Sequence, residues 1–355
     1  MKKLAAILLT LALLIPCAAA LAEESPLHLG YIAPADAEDG RYSLCADAFA
    51  YAAEQQGAKL TILRFDPSDG EVPEGADSED RMDPAIAALM TLIEDGVDGA
   101  AIAAASVEQA RQLIDLAQEA GMPVVIEGQD VSAFYPQQTG AAASPEETPD
   151  PASPRPYVAA VGYGDAAAYA ASMWLEDAAY NPLLFHCALP ASDPAIESGI
   201  RRAVKSGRYL ELAGAAVNAS ANTAAAGSYA VDLFTASGAI YGCVLADSEY
   251  LAEGCARRIR ELGDSMPITA IASSAHALEL LQSGTIDMLA ATPASVEGVQ
   301  TFKLLHDFVT QGILPETATG YVQLEIITAT SKDASAWISD DDYETAYALA
   351  YPEAE

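Results

Sequence analysis

The sequence predicts an α/β chain folded as two doubly wound parallel-sheet lobes. Short apolar runs alternate with longer amphipathic stretches from Leu27 onward, the mark of repeated βα units. The alternation then restarts on the same plan in the second half of the 355 residues, a length that suits two cores. Glycine also stands directly after three of the amphipathic stretches, at Gly57, Gly96 and Gly121, where a left-handed residue ends a helix at little cost.

In the first half the pattern places strands at 27–32, 59–65, 99–104, 123–127 and 157–161, with helices at 43–56, 84–95 and 107–120 between them. In the second half strands fall at 183–188, 211–217, 239–245, 268–272 and 286–290. Their helices fall near 166–177, 194–206, 223–235, 248–262 and 276–282. Duplicated lobes favour a cleft between them over one enclosed pocket. Two stretches break the rhythm, 66–83 and 132–156; rich in Asp, Glu, Gly, Pro, Ala and Ser, they read as flexible surface insertions without regular structure. The acidic end, 340–355, reads as a partly ordered tail.

Lys2 and Lys3 precede an apolar run from Leu4 to Ile15 and the small-residue stretch Ala20, Leu21, Ala22. Residues 1–22 therefore read as a secretory signal, too short to span a bilayer, and the mature chain is expected to begin near Glu23 outside the cytoplasm, in the periplasm or beyond the cell. A lipid anchor on Cys17 is the alternative; Pro16 directly before it argues against that processing.

The formal charge of −34 opposes nucleic acid and anionic lipid as partners. Cys45, Cys187, Cys243 and Cys255 form no Cys-x-x-Cys and no metal-like spacing with His28, His186, His276 or His306, so no metal is expected. They read either as buried thiols or as containing one disulfide, Cys187 with Cys243, because both fall on strands expected side by side. None of the histidines sits in a nucleophile motif and no phosphate-cradling glycine loop occurs, which points away from an enzyme and from a bound cofactor.

Several segments carry a resemblance: Leu-Ile-Glu-Asp-Gly-Val-Asp-Gly-Ala from Leu92 to Ala100, Ala-Gln-Glu-Ala-Gly-Met-Pro-Val-Val from Ala117 to Val125, Ser-Gly-Thr-Ile-Asp from Ser283 to Asp287, and the helix starting near Val296. Together with the order of elements they resemble the type I periplasmic binding proteins, particularly the ribose and galactose branch that serves ABC importers and chemoreceptors, over roughly Leu27 to Pro315. The resemblance implies a multi-strand hinge, with crossings near Gly162, Ala291 and Gly320. The first lobe would then comprise 23–161 plus 291–319, and the second 162–290 plus 320–355.

Ligands of open parallel sheets sit beyond the carboxyl ends of strands, so the candidate binding residues lie on those loops. The first loop, 33–42, carries Asp36, Asp39, Arg41 and Tyr42, and Asp39-Gly-Arg-Tyr42 resembles the family's Asn-Pro-Phe-Phe. Glu127, Gln129 and Asp130 flank Gly128, which aligns with the family's hydroxyl-binding aspartate. Tyr163 and Asp165 resemble its Gly-Thr-Asp-Asn turn, and Asp247 stands where it has a ligand-binding amide, a change that favours a donor-rich ligand. Pro194, Ser273 and Ala291 replace its arginine, aspartate and glutamine, leaving Asp193, Asn222, Ser273 and Thr292 as nearby polar groups. The fold carries over and the sugar does not.

The expectation is a monomeric receptor that captures a small polar ligand (sugar-like, polyol, nucleoside or amine) by hinge closure and delivers it to the membrane permease of an ABC importer. The alternatives are a ligand sensor for a membrane kinase or chemoreceptor, and a degenerate lobe pair serving as a protein-interaction surface.

Overall fold

Leu29, Tyr31 and Ala33 of strand β1 (His28–Pro34) face one way and Ile32 the other, and all four are buried, so this strand must be covered on both sides. The computed structural model describes residues 26–35, 40–66, 82–104, 107–128, 158–162, 166–178, 183–188, 194–205, 211–216, 224–238, 240–312, 321–334 and 337–352. In it β1 joins β2 (Lys59–Phe65), β3 (Gly99–Ala103), β4 (Val124–Glu127), β5 (Val158–Gly162) and β11 (Tyr321–Gln323) in one sheet of order β11-β5-β4-β3-β1-β2. Every pairing in it is parallel.

The second sheet repeats the winding with β6 (Leu183–Ala188), β7 (Glu211–Ala216), β8 (Cys243–Ala246), β9 (Ile268–Ala270), β10 (Met288–Ala291) and β12 (Ile327–Thr330), in the order β12-β10-β9-β8-β6-β7. Only β12 runs antiparallel to its neighbour among these strands. The duplicated α/β plan read from the apolar periodicity is therefore present.

Helices cover both faces of each sheet. On the first, α1 (Arg41–Gln55), α9 (Ala294–Gln311) and α10 (Tyr343–Ala350) share one face, with the Phe49 ring between those of Tyr31 and Phe302 at centroid distances of 5.1 and 5.3 Å. The opposite face carries α2 (Pro84–Glu94) and α3 (Val107–Ala120). The second sheet packs α6 (Ala224–Ser237), α7 (Glu249–Glu261) and α8 (Ala275–Gln282) on one side and α4 (Ala166–Ala178) and α5 (Pro194–Lys205) on the other.

Local chemistry sets the boundaries. Asp83 accepts from the amide of Ala85 at 2.7 Å ahead of Pro84, and Ser248 and Ser274 cap α7 and α8 in the same way. Gly57, Gly96 and Gly121 take the left-handed φ expected of them, +67°, +66° and +68°. Helix α1 begins at Arg41 rather than residue 43, so Arg41 and Tyr42 belong to a helical first turn and not to a loop.

Among the described elements the chain crosses between the sheets four times, not three. The chain leaves the first sheet after Gly162, returns over 291–294 and leaves again over 324–326, beyond β11 rather than near Gly320. It returns a last time over 338–342, because Trp337 is in the core of the second lobe whereas Ala346 and Ala350 are in the core of the first. The assignment of all of 320–355 to the second lobe is thus corrected: β11 and α10 belong to the first. Within the acidic end Tyr343–Ala350 is helical, held by buried Ala346 and Ala350 and by the Gln56 side-chain amide donating to Tyr347 Oη at 2.6 Å. Most of the two insertions, 67–81 and 129–157, and the leading residues 1–25 lie outside the described residues. Among the described residues no helix is long and apolar enough to cross a membrane.

Cys187 and Cys243 cannot pair. Their strands are neighbours, but Leu184 stands opposite Cys243 while Cys187 stands opposite Ala246. Cys187 packs with the α6 and α7 side of the sheet and Cys243 with the α4 and α5 side.

Gly227 of α6 and Gly254 of α7 let these helices touch backbone to backbone; a Cβ on Gly254 would lie 1.9 Å from the carbonyl oxygen of Ala224. Gly254→Ala should therefore destabilise the protein by about 1–3 kcal/mol. The urea midpoint measures it, and an unchanged midpoint contradicts this contact.

Candidate functional site

Strand β4 ends in Glu127 on the α9 side of the first sheet, where Tyr31 Oη donates to Glu127 Oε1 at 2.7 Å. Glu127 is only 3 % exposed, and its other oxygen has no hydrogen-bond partner among the described residues. Glu297, 1 % exposed, comes from the first turn of α9 on the other side. It is buried because α9 presses on α1: a Cβ on Gly298 would lie 2.2 Å from the carbonyl oxygen of Cys45. Arg41 reaches across from α1, pairing with Glu297 through Nη2 and donating through Nη1 to the carbonyl oxygen of Thr292 at 3.1 Å. The Cys45 thiol donates to Glu297 at 3.9 Å.

Two buried carboxyl groups thus face each other, and the guanidinium pairs with one of them, Glu297. Burial first, and the charge of Glu297 second, raise the Glu127 carboxyl from the ordinary 4.5 to about 7, against the opposing pull of Tyr31, Thr301 and Arg41. Thr301 faces Glu127 without completing a hydrogen bond of good geometry. Burial and the same two acids push up the Tyr42 hydroxyl and the Cys45 thiol. Burial likewise raises Asp340, where Arg41 and the amide of Ala294 favour the charged form and Glu249 opposes it.

The crossing segments are laced together at this place. Ala294 N donates to Asp340 Oδ1 at 2.6 Å and Ser295 Oγ to the carbonyl oxygen of Ser339 at 2.8 Å, tying the second crossing to the fourth. Thr292 Oγ1 donates to the carbonyl oxygen of Glu325 at 3.3 Å, and Leu324 N to that of Gly162 at 2.8 Å. Asp340 N donates to the carbonyl oxygen of Ser273 at 3.1 Å, in the turn after β9.

Asp247 stands apart from this cluster, directly after β8. His186 Nε2–H donates to its Oδ1 at 2.6 Å, with both side chains almost fully enclosed, and its own amide donates to the carbonyl oxygen of Cys187 at 3.1 Å. The imidazole orients a carboxylate at the carboxyl edge of the second sheet.

Of the sequence-read residues, Arg41, Tyr42, Glu127 and Thr292 come together around Glu297, Ser273 joins Asp340 at the hinge, and Asp247 pairs with His186. Asp36, Asp39, Gln129, Asp130, Tyr163, Asp165, Asp193 and Asn222 lie outside the described residues. Glu297, Asp340, Tyr31 and His186 were not anticipated. For Glu297 a signal existed: Gly298 and Thr301 share its helix face with Ala294, a run of small residues that marks close approach to another element.

Among the described residues no group of three or more His, Cys, Asp or Glu side chains is placed to hold a metal ion. Described residues form a groove of about 500 Å³ lined by Glu253, Arg257, Arg260, Glu261, Leu280 and Thr285, and a concavity of about 160 Å³ at Ile93, Asp98 and Met122. Both lie toward the amino ends of the strands, away from the edge where a parallel sheet receives ligands.

No protein-family model matches the sequence, and no curated protein matches it. Solved structures do. A glucose-galactose binding protein from Geobacillus stearothermophilus is similar at a TM-score of 0.63 and 16 % identity, over 87 % of this chain and 99 % of that one. A solute-binding protein of an ABC transporter from Bacillus halodurans, with bound myo-inositol, is similar at 0.63 and 14 %, over 92 % and 100 %. A periplasmic solute-binding protein from Actinobacillus succinogenes, with bound D-allose, is similar at 0.65 and 11 %, over 88 % and 100 %. The chain has the two-lobed fold of the type I periplasmic binding proteins.

The raised Glu127 carboxyl makes stability depend on pH. The folded state holds a proton that the unfolded chain releases above about 4.5, so stability is full below that pH and falls until about 7, in total by about 3 kcal/mol. Glu127→Gln should flatten the fall and stabilise the protein at pH 8, read by chemical denaturation between pH 4 and 8. A wild-type profile parallel to that of the variant contradicts the buried proton.

Proposed function

We propose that the chain is an extracytoplasmic solute-binding protein that traps a small polar ligand between its lobes by hinge closure, for delivery to the permease of an ABC importer. The observation that carries this reading is the lacing of four crossing segments, which hydrogen-bond chiefly to one another while each sheet keeps its own core. Several parallel linkers permit opening about one axis and resist twist, the mechanics that a closing trap needs. The ligands bound in similar structures, myo-inositol and D-allose among them, support a hydroxyl-rich solute. The sequence-read signal supports export.

Asp247 is the proposed acceptor at the edge of the second lobe, held in orientation by His186, and Tyr42 the aromatic wall on the first. Closure follows ligand because the closed state gains contacts with both edges that the open state lacks.

Melting the protein against a panel of sugars, polyols, nucleosides and amines tests the reading. A true ligand at 100 times its dissociation constant should add ~2.7 kcal/mol of stability. For that ligand Asp247→Ala and Tyr42→Ala should each weaken binding by about tenfold, or ~1.4 kcal/mol. No shift across the panel contradicts solute capture, and undiminished affinity in both variants contradicts the site.

A further inference from the structure

Gly128 is an opening at the carboxyl edge of the first sheet. It follows β4 directly, is exposed, and takes a φ of +76°, a region that glycine enters without steric cost. Among the described residues, its chain neighbours aside, a Cβ built there would have only Glu297 Oε1 within 4 Å, at 3.5 Å. The other oxygen of Glu297 is the one engaged by Arg41 and by the Cys45 thiol. On the chain side, Glu127 keeps Oε2 buried with no hydrogen-bond partner among the described residues, while its Oε1 accepts from Tyr31. Two carboxyl groups, one from β4 and one from α9, therefore flank one exposed glycine, at the edge where a parallel sheet receives ligands.

Charge selects what sits in this opening. Glu127 is faced by Tyr31 of β1, by Arg41, Tyr42 and Cys45 of α1, and by Glu297 and Thr301 of α9. Arg41 is the cation of that set, and it is paired with Glu297. A second carboxylate here has no counter-charge of its own, and an enclosed carboxylate oxygen without a donor is costly. A neutral hydroxyl would supply the donor and leave the charge uncompensated. An ammonium supplies both, through charge-assisted hydrogen bonds. Asp247, oriented by His186, adds a further acid at the edge of the second sheet.

We propose that the captured solute is a cation, a sugar or polyol bearing an ammonium group, and that Glu297 Oε1 receives this group over Gly128 with the Glu127 carboxylate beside it. This rests on the solute-capture reading and narrows its ligand class. Without solute a proton neutralises Glu127; the bound ammonium takes over that role, so binding releases the proton and strengthens as pH rises toward 7.

Calorimetric titration of the full chain with matched pairs tests this: 1-amino-1-deoxysorbitol against sorbitol, glucosamine against glucose, and galactosamine against galactose. At a pH of about 7 the amine of at least one pair should bind about tenfold more tightly than its neutral partner, and high salt should weaken it. Its affinity should fall several-fold when the pH is lowered to about 5.5. Glu297→Gln should erase the preference for the amine. Glu127→Gln should weaken the amine about tenfold at neutral pH and remove the pH dependence, a readout that holds even if Glu297→Gln fails to fold. Neutral partners that bind as tightly as their amines, or an amine whose affinity Glu127→Gln leaves unchanged, overturn the cation while solute capture stands. No binding by any member of the three pairs overturns the cation, and a blank across the wider panel as well removes solute capture with it.

Discussion

The amide of Ala294 ends on the carboxylate of Asp340, and the two-sheet arrangement passes through that hydrogen bond. Ala294 opens α9, whose first amides have no partners within the helix, so an acid at that end is favoured by both hydrogen bonding and the helix dipole. Asp340 comes from the last crossing, and its own amide is bonded to the turn after β9 in the second lobe. One residue therefore caps a helix of the first lobe, ties two crossings together and reaches the second. The direction of α9, and with it the depth of Glu297, depends on that anchor.

Electrostatics around the anchor are unbalanced. Arg41 pairs with Glu297 and acts on Asp340 and Glu127 through its charge alone, and enclosed charges are costly. The molecule meets the cost by leaving a proton on Glu127 over most of the acid range. Apolar residues of the same volume would pack here with less penalty, but without the orientation that the hydrogen-bonded groups impose. The guanidinium joins α1, α9 and the second crossing, and beside it Glu127 joins β4 to β1 through Tyr31.

The architecture was legible because strands buried on both faces read as apolar runs, and because Gly57, Gly96 and Gly121 mark where helices end. The connections were less legible. Residues 340–355 are acidic by composition, and only the placement of Ala346 and Ala350 against α1 and α9 shows that Tyr343–Ala350 is a docked helix. Register was also what the cysteine reading lacked, since adjacent strands place side chains on either face and only the pairing of Cys187 with Ala246 decides which. At the site, Arg41, Tyr42 and Glu127 were found from their places at strand and helix ends. Glu297 was missed because an acid in a first helical turn ordinarily reads as solvated, and Asp340 because its partner is 46 residues away in sequence.

The central claim is mechanical: two rigid lobes on laced linkers close over a solute. Small-angle X-ray scattering from the purified chain, with and without a saturating solute that raises its melting temperature, tests this most directly. The account predicts a smaller radius of gyration and a shorter maximum dimension with the solute present. Superimposable curves, with the solute demonstrably bound, would contradict it.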